Sequence, residues 1–137
     1  MPKRFLTAKL ARCPVTMSLG VLSRKWALMI LRDICVYGAD RFNALLRLNP
    51  DVSPKMLSTR LHELETQGIV ARKKTGEPPT QIRWEVTEKG LDLFPVMMLL
   101  TAYQSKWDPA RLHPGQPTMR MRDMFDKDAI ALLDGLT

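Results

Sequence analysis

The stretch Arg41–Gly68, RFNALLRLNPDVSPKMLSTRLHELETQG, decides the fold. It reads as a helix, a tight turn at Asn49-Pro50-Asp51, and a second helix from Ser53 to Gln67 that Gly68 stops. The second helix has a built start. The Ser53 hydroxyl is placed to accept a bond from a free N–H of the first turn, and Pro54, at the first helical position, has no N–H to leave unpaired. Leu57, Leu61 and Leu64 repeat at i, i+4, i+7 and form one apolar stripe. The opposite face carries Lys55, Ser58, Thr59 and His62, short, polar and cationic, with no acid among them. Such a helix, held out by the helix before it, suits the major groove of duplex DNA. Lys55, Ser58, Thr59 and His62 are expected at base edges or in the groove and Arg60 at a phosphate, with Ser53 counted among the DNA-binding residues.

Downstream, Ile69-Val70-Ala71-Arg72-Lys73-Lys74 reads as a strand and Thr75–Thr80 as a loop. Gln81–Val86 reads as a second strand, with Ile82, Trp84 and Val86 inward and Arg83 and Glu85 outward. The two form an antiparallel hairpin. Three consecutive cations in its first strand suit a phosphate backbone, so Arg72, Lys73 and Lys74 are expected there, with Arg83 and Arg41 beside them. A basic hairpin directly after a groove-reading helix is a wing.

Upstream, Pro14 opens a helix marked by Val15, Leu19 and Leu22. Trp26–Ile34 is apolar on nearly every side, which marks the central core helix, closed by Gly38. Asp40 is expected to cap the helix containing Phe42, Leu45, Leu46 and Leu48. Thr87 is expected to cap a long helix whose Leu91–Trp107 portion is apolar around most of its circumference. One small winged domain cannot bury all of it. The surplus predicts a symmetric dimer joined through Met97, Leu100, Tyr103 and Trp107 of this helix. Asp108–Pro117 reads as a Pro-rich linker and Asp123–Leu136 as a final helix. The domain division is then a basic arm at 1–12, a winged helix-turn-helix unit with dimerisation helices at 13–107, and an extension at 108–137.

Charge agrees with this picture. The net +7 is uneven: residues 1–76 hold 14 Lys/Arg against 5 Asp/Glu, whereas 77–137 hold 7 against 9. The positive excess sits with the two-helix unit, as for a surface that displaces counterions from phosphates. Two cysteines 22 residues apart, Cys13 and Cys35, make neither a disulfide framework nor a zinc signature and suit a reducing compartment. The longest apolar run, Ala27–Leu31, is far short of a bilayer span, and the N-terminus has no apolar core of a secretory signal. His62, His113 and Cys13 have no catalytic or metal-binding spacing. There is also no Gly-rich phosphate loop and no paired-carboxylate pattern, so neither an enzyme nor a cofactor or metal is expected. Trp26, Phe42 and Trp84 read as buried, leaving few rings to stack on RNA bases. Cys13, preceding Pro14 at a helix N-terminus beside Arg12, has conditions that lower a thiol pKa, which makes it a candidate redox sensor; Cys35 reads as core.

The order of parts resembles the HxlR-type winged helix-turn-helix regulators, relatives of the MarR group. The resemblance is carried by Cys13-Pro14-Val15, Lys25-Trp26 with Ala27–Arg32, and Arg41-Phe42-Asn43 with Leu45. It continues through Ser53–Leu57, Arg60-Leu61, Glu63–Glu65, Gly68–Val70, Pro78-Pro79, Thr87–Gly90 and Leu93–Val96. It covers roughly residues 13–107. Two places depart: Ser23-Arg24 stands where the family usually has a small pair, and Pro78-Pro79-Thr80-Gln81-Ile82 has one residue more than the usual Pro-Pro-Arg-Val wing. The resemblance implies a dimeric prokaryotic transcription factor in the cytoplasm, at the nucleoid, its dimer built from the first helix, with Val15, Leu19 and Leu22, together with the long C-terminal one. It would act on an inverted-repeat site, usually as a repressor, and sense oxidants or electrophiles, or a small-molecule effector; in some members the sensor is a cysteine at the place of Cys13. The other reading is a winged-helix adaptor that responds to a small molecule or a protein partner without strong DNA binding. Failure to hold duplex DNA at low salt would favour it.

Overall fold

The computed structural model describes residues 8–117 and 119–137; the first seven residues of the expected basic arm lie outside that range. The chain runs α1 (Pro14–Leu22), α2 (Ala27–Tyr37), α3 (Phe42–Leu48), α4 (Pro54–Thr66), β1 (Val70–Thr75) and β2 (Gln81–Val86). It continues through α5 (Glu88–Leu91), α6 (Phe94–Trp107), α7 (Pro109–Leu112), α8 (Met121–Met124) and α9 (Lys127–Leu136). The architecture is the expected one: mostly helical, with helix-turn-helix α3–α4 followed by a two-stranded antiparallel wing. Register runs from Val70 opposite Val86 to Thr75 opposite Gln81.

One core holds these parts together. Ala27, Ile30 and Leu31 of α2 meet Leu45 of α3, Leu57, Leu61 and Leu64 of α4, and Ile69, Val70 and Trp84 of the wing's base. The α4 stripe is fully buried, as its spacing requires, so the opposite face can only point outward. Ser53 caps α4 as read: its Oγ accepts from the Met56 N–H at 3.0 Å. Gly38 ends α2 in the left-handed region at φ 64°.

Several expectations need correction. The core helix starts one residue late, because Trp26 is itself left-handed at φ 78°. Arg41, not Asp40, occupies the N-cap position of α3, without a side-chain bond. Asp40 turns instead to the wing: its carbonyl accepts from the Trp84 N–H at 2.7 Å and its carboxylate pairs with Arg83. Ile82 is exposed, since only the base of the wing reaches the core. The long helix after Thr87 is two helices. Thr87 accepts from the Gly90 N–H at 3.1 Å and donates to the Ile69 carbonyl at 3.0 Å, holding a single turn against β1. Pro95 then takes the first turn of α6, where its missing N–H is harmless. Within the expected linker, Pro109–Leu112 forms the short helix α7, and the expected final helix is broken at Phe125-Asp126, where the Asp126 carboxylate caps α9.

A second, smaller core belongs to the extension. Ala129 and Leu133 of α9 bury Met98 of α6, and Phe125 meets Phe94 edge-on with ring centroids 5.8 Å apart. Residues 119–137 therefore cover the inner side of α6 and leave its outer side bare.

Candidate nucleic-acid interface

On α4, Lys55, Ser58, Thr59 and His62 all stand exposed. Their spacing keeps them within one arc of the helix, with Lys55 in the first turn. Lys55 makes no ion pair among the described residues. The Thr59 hydroxyl donates to the Lys55 carbonyl at 2.9 Å, which leaves its oxygen free to accept and its methyl outward. Ser53, engaged through its lone pair at the cap, keeps its own proton to donate at the same end of the helix.

Arg60 is different. The structure engages it within the protein, where its charge alone suggests a phosphate. The residue is 9% exposed. Its Nε donates to the Lys25 carbonyl at 2.8 Å, and its Nη1 meets both carboxylate oxygens of Glu63 at 3.1 and 3.3 Å. The signal is present in the sequence: Arg60 follows Leu57 by three and precedes Leu64 by four, which sets it on the flank of the buried stripe.

The cations of the wing divide in two. Lys74 is exposed and makes no ion pair among the described residues. Lys73 stands 3.9 Å from Glu85 with both groups in solvent, a pairing worth little. Arg72 is held: its Nε donates to Glu65 at 2.8 Å and its guanidinium lies 5.8 Å from the Trp84 ring centroid. Arg83 is held by Asp40 at 2.7 Å. Arg41, exposed at the start of α3, has no ion partner among the described residues.

Sequence reasoning misses a buried polar lock behind this surface. Asp33, wholly buried in α2, accepts from Arg32 Nη2 at 2.7 Å and from the Asn49 amide, which also donates to the Leu45 carbonyl at 3.0 Å. A carboxylate survives there only because both oxygens are bonded. The lock fixes the turn that launches α4. A lone acid inside an otherwise apolar helix is the available clue.

The candidate pairing surface is equally plain. No residue of α1 is buried; Val15 and Leu19 are exposed and Leu22 half-buried. Leu100, Tyr103 and Trp107 line the bare side of α6 together with Val96 and Leu99 at helical spacing, while Met97 turns inward against the main core. Cys13 is exposed at the N-cap position of α1. The Thr16 hydroxyl first, then the Thr16 and Val15 N–H groups nearby, favour its thiolate and lower its pKa. Half-buried Cys35 is pushed up to about 11 by desolvation.

This fold, with its outward second helix and cationic hairpin, defines a winged helix-turn-helix protein. The HxlR-like helix-turn-helix family model matches residues 21–111, and the chain belongs to that family of transcriptional regulators, related to the MarR group. It is 32% identical over 96 residues to the HTH-type transcriptional regulator YvaP of Bacillus subtilis strain 168, an alignment spanning 69% of this chain and 88% of YvaP. The reduced form of the transcriptional regulator YodB from B. subtilis superposes with a TM-score of 0.61 at 30% identity, over 77% of this chain and 99% of YodB. The redox regulator HypR in its oxidised form gives 0.60 at 30% identity, over 69% of this chain and 96% of HypR. No described helix is long and apolar enough to cross a membrane.

Proposed function

We propose that the chain binds an inverted-repeat site in duplex DNA as a homodimer and represses transcription by occupying the promoter. Each α4 helix enters a major groove with Lys55, Ser58, Thr59 and His62 at base edges. Arg41, Lys73 and Lys74 reach phosphates, and the two helices stand about 34 Å apart, one turn of DNA. The outer side of α6 and helix α1 join the protomers; residues 13–107 form the working unit and 108–137 brace it. The protein works in the cytoplasm, at the nucleoid. One observation carries this reading: the acid-free polar face of α4 is exposed on a helix whose other face is locked into the core, beside a wing with exposed lysines. A duplex enriched from a random library by the wild type tests it. The Lys55→Ala/Thr59→Ala variant should lose that duplex in a gel shift while keeping its circular dichroism. Unchanged binding would refute the base-edge assignment, and failure of the wild type to retain any duplex at low salt would favour the adaptor reading.

A second role is supported by the exposed, acidified Cys13 thiol: sensing an oxidant or electrophile that changes DNA affinity. Diamide should alter operator binding by the wild type and leave Cys13→Ser unaffected.

A further inference from the structure

Helix α1 is tied to the reading head by little. It buries none of its residues. An open cleft of about 670 Å3, lined in part by Met17 and Leu22 on one side and His62 and Glu63 on the other, separates it from the second half of α4. Apart from Val21, which packs against the main core at its last turn, its direction is set by the short turn Ser23–Trp26 that joins it to α2. That turn is strained: Trp26, a bulky residue, sits at φ 78°, a conformation that persists only when the surroundings impose it. The half-buried Trp26 ring packs against the main core, and two further contacts bear on the turn. The Lys25 ammonium lies 5.2 Å from the centroid of the Trp26 ring. The Lys25 carbonyl accepts the buried Nε–H of Arg60, 35 residues away on α4, and Glu63 holds the far end of the same guanidinium.

Resting on the DNA-binding reading above, we infer that Arg60 is a positioning residue: it clamps the α1–α2 turn to the recognition helix and so fixes the spacing of the two recognition helices in the dimer. If α1 is held by the partner protomer, the angle between α1 and α4 sets how far apart the two α4 helices stand. The planar fork of arginine suits the task, because it bonds a carbonyl and a carboxylate at once. Lysine can satisfy one of them.

The test measures tolerance to half-site spacing. The duplex enriched by the wild type is compared with versions carrying one or two base pairs inserted or removed at its centre. The wild type should lose at least tenfold in affinity on each altered duplex. Arg60→Lys and Arg60→Met should bring that loss to within about threefold, with the salt slope of binding unchanged. Glu63→Gln, whose amide oxygen can still accept from the guanidinium, keeps both bonds and should behave as wild type. A wild-type spacing penalty in both Arg60 variants overturns the inference; so does a salt slope flatter by about 0.9, which marks a phosphate partner instead. A measurement without DNA keeps the inference separate from the reading beneath it. Spin labels are placed at Thr16→Cys and Ser58→Cys in a Cys13→Ser/Cys35→Ala background, diluted with unlabelled protein. The α1–α4 distance distribution should be narrow when Arg60 is present and broad in the Arg60→Lys variant. Equal widths overturn the clamp whatever the protein binds, and Arg60→Lys serves should Arg60→Met fail to fold.

Discussion

Cys13 and Cys35 carry the same group in opposite surroundings. The Thr16 hydroxyl and nearby N–H groups at the start of α1 favour the Cys13 thiolate, while desolvation at the end of α2 disfavours that of Cys35. Only the thiolate attacks, so a lowered pKa raises the reactive fraction at neutral pH and a raised one suppresses it. Iodoacetamide at pH 7 should label Cys13 first, with peptide mass spectrometry finding Cys35 unmodified until the pH climbs several units or the chain unfolds. Helix position makes the acidification legible in the sequence, but not its source: the neighbouring Arg12 is the obvious suspect, whereas Thr16 supplies the effect. Arg60 teaches the same lesson. Its charge, beside a cationic face, points to phosphate, and its angular place on α4 outweighs that charge. Side chains reaching across 16 or 35 residues, such as Asn49 to Asp33 or Arg60 to Lys25, leave no local pattern in a sequence.

At the scale of elements, the helices with capping residues and a clean apolar stripe are the legible ones. Helix α4 and its Ser53 cap match the reading because spacing, cap and stop signal agree. The region after Thr87 is less legible, because an unbroken run of apolar residues has no period from which to read a boundary. Gly90 shows what separates α5 from a simple extension of α6. A Cβ there would lie 2.2 Å from the Ile69 carbonyl oxygen and 2.7 Å from Val86 Cγ1, so the turn presses directly on the base of the wing. Gly90→Ala should cost about 3 kcal/mol, the upper end for overpacking, because backbone cannot yield as a side chain can. A urea midpoint that does not move would show that the turn is free to lift away.

For the whole molecule, the uneven charge seen in the sequence has a spatial counterpart, but a smaller one than the count implies. Arg60, Arg72 and Arg83 are held by Glu63, Glu65 and Asp40, which leaves Lys73 and Lys74 as the exposed cations of the wing for the proposed phosphate contacts. Removing Lys73 and Lys74 together should weaken binding to every duplex alike and flatten the plot of log affinity against log salt by about 0.9 for each phosphate no longer neutralised. A slope equal to wild type would take the wing off the DNA. The apolar outer side of α6 makes a parallel prediction about assembly. Leu100→Lys/Tyr103→Glu should turn a dimer into a monomer in sedimentation and lower operator affinity at least tenfold, while sparing weak binding to mixed-sequence duplex. A dimer that survives both charges would place the interface elsewhere.

The aromatic pair Phe94–Phe125 and the Met98 pocket beneath α9 give the tail a duty of its own, that of covering the inner side of α6. A helix greasy on two sides needs two lids, and this chain carries one of them itself. Clip the chain before Met119 and α6 would offer apolar flanks in both directions, so a molecule proposed to pair once would chain on without end.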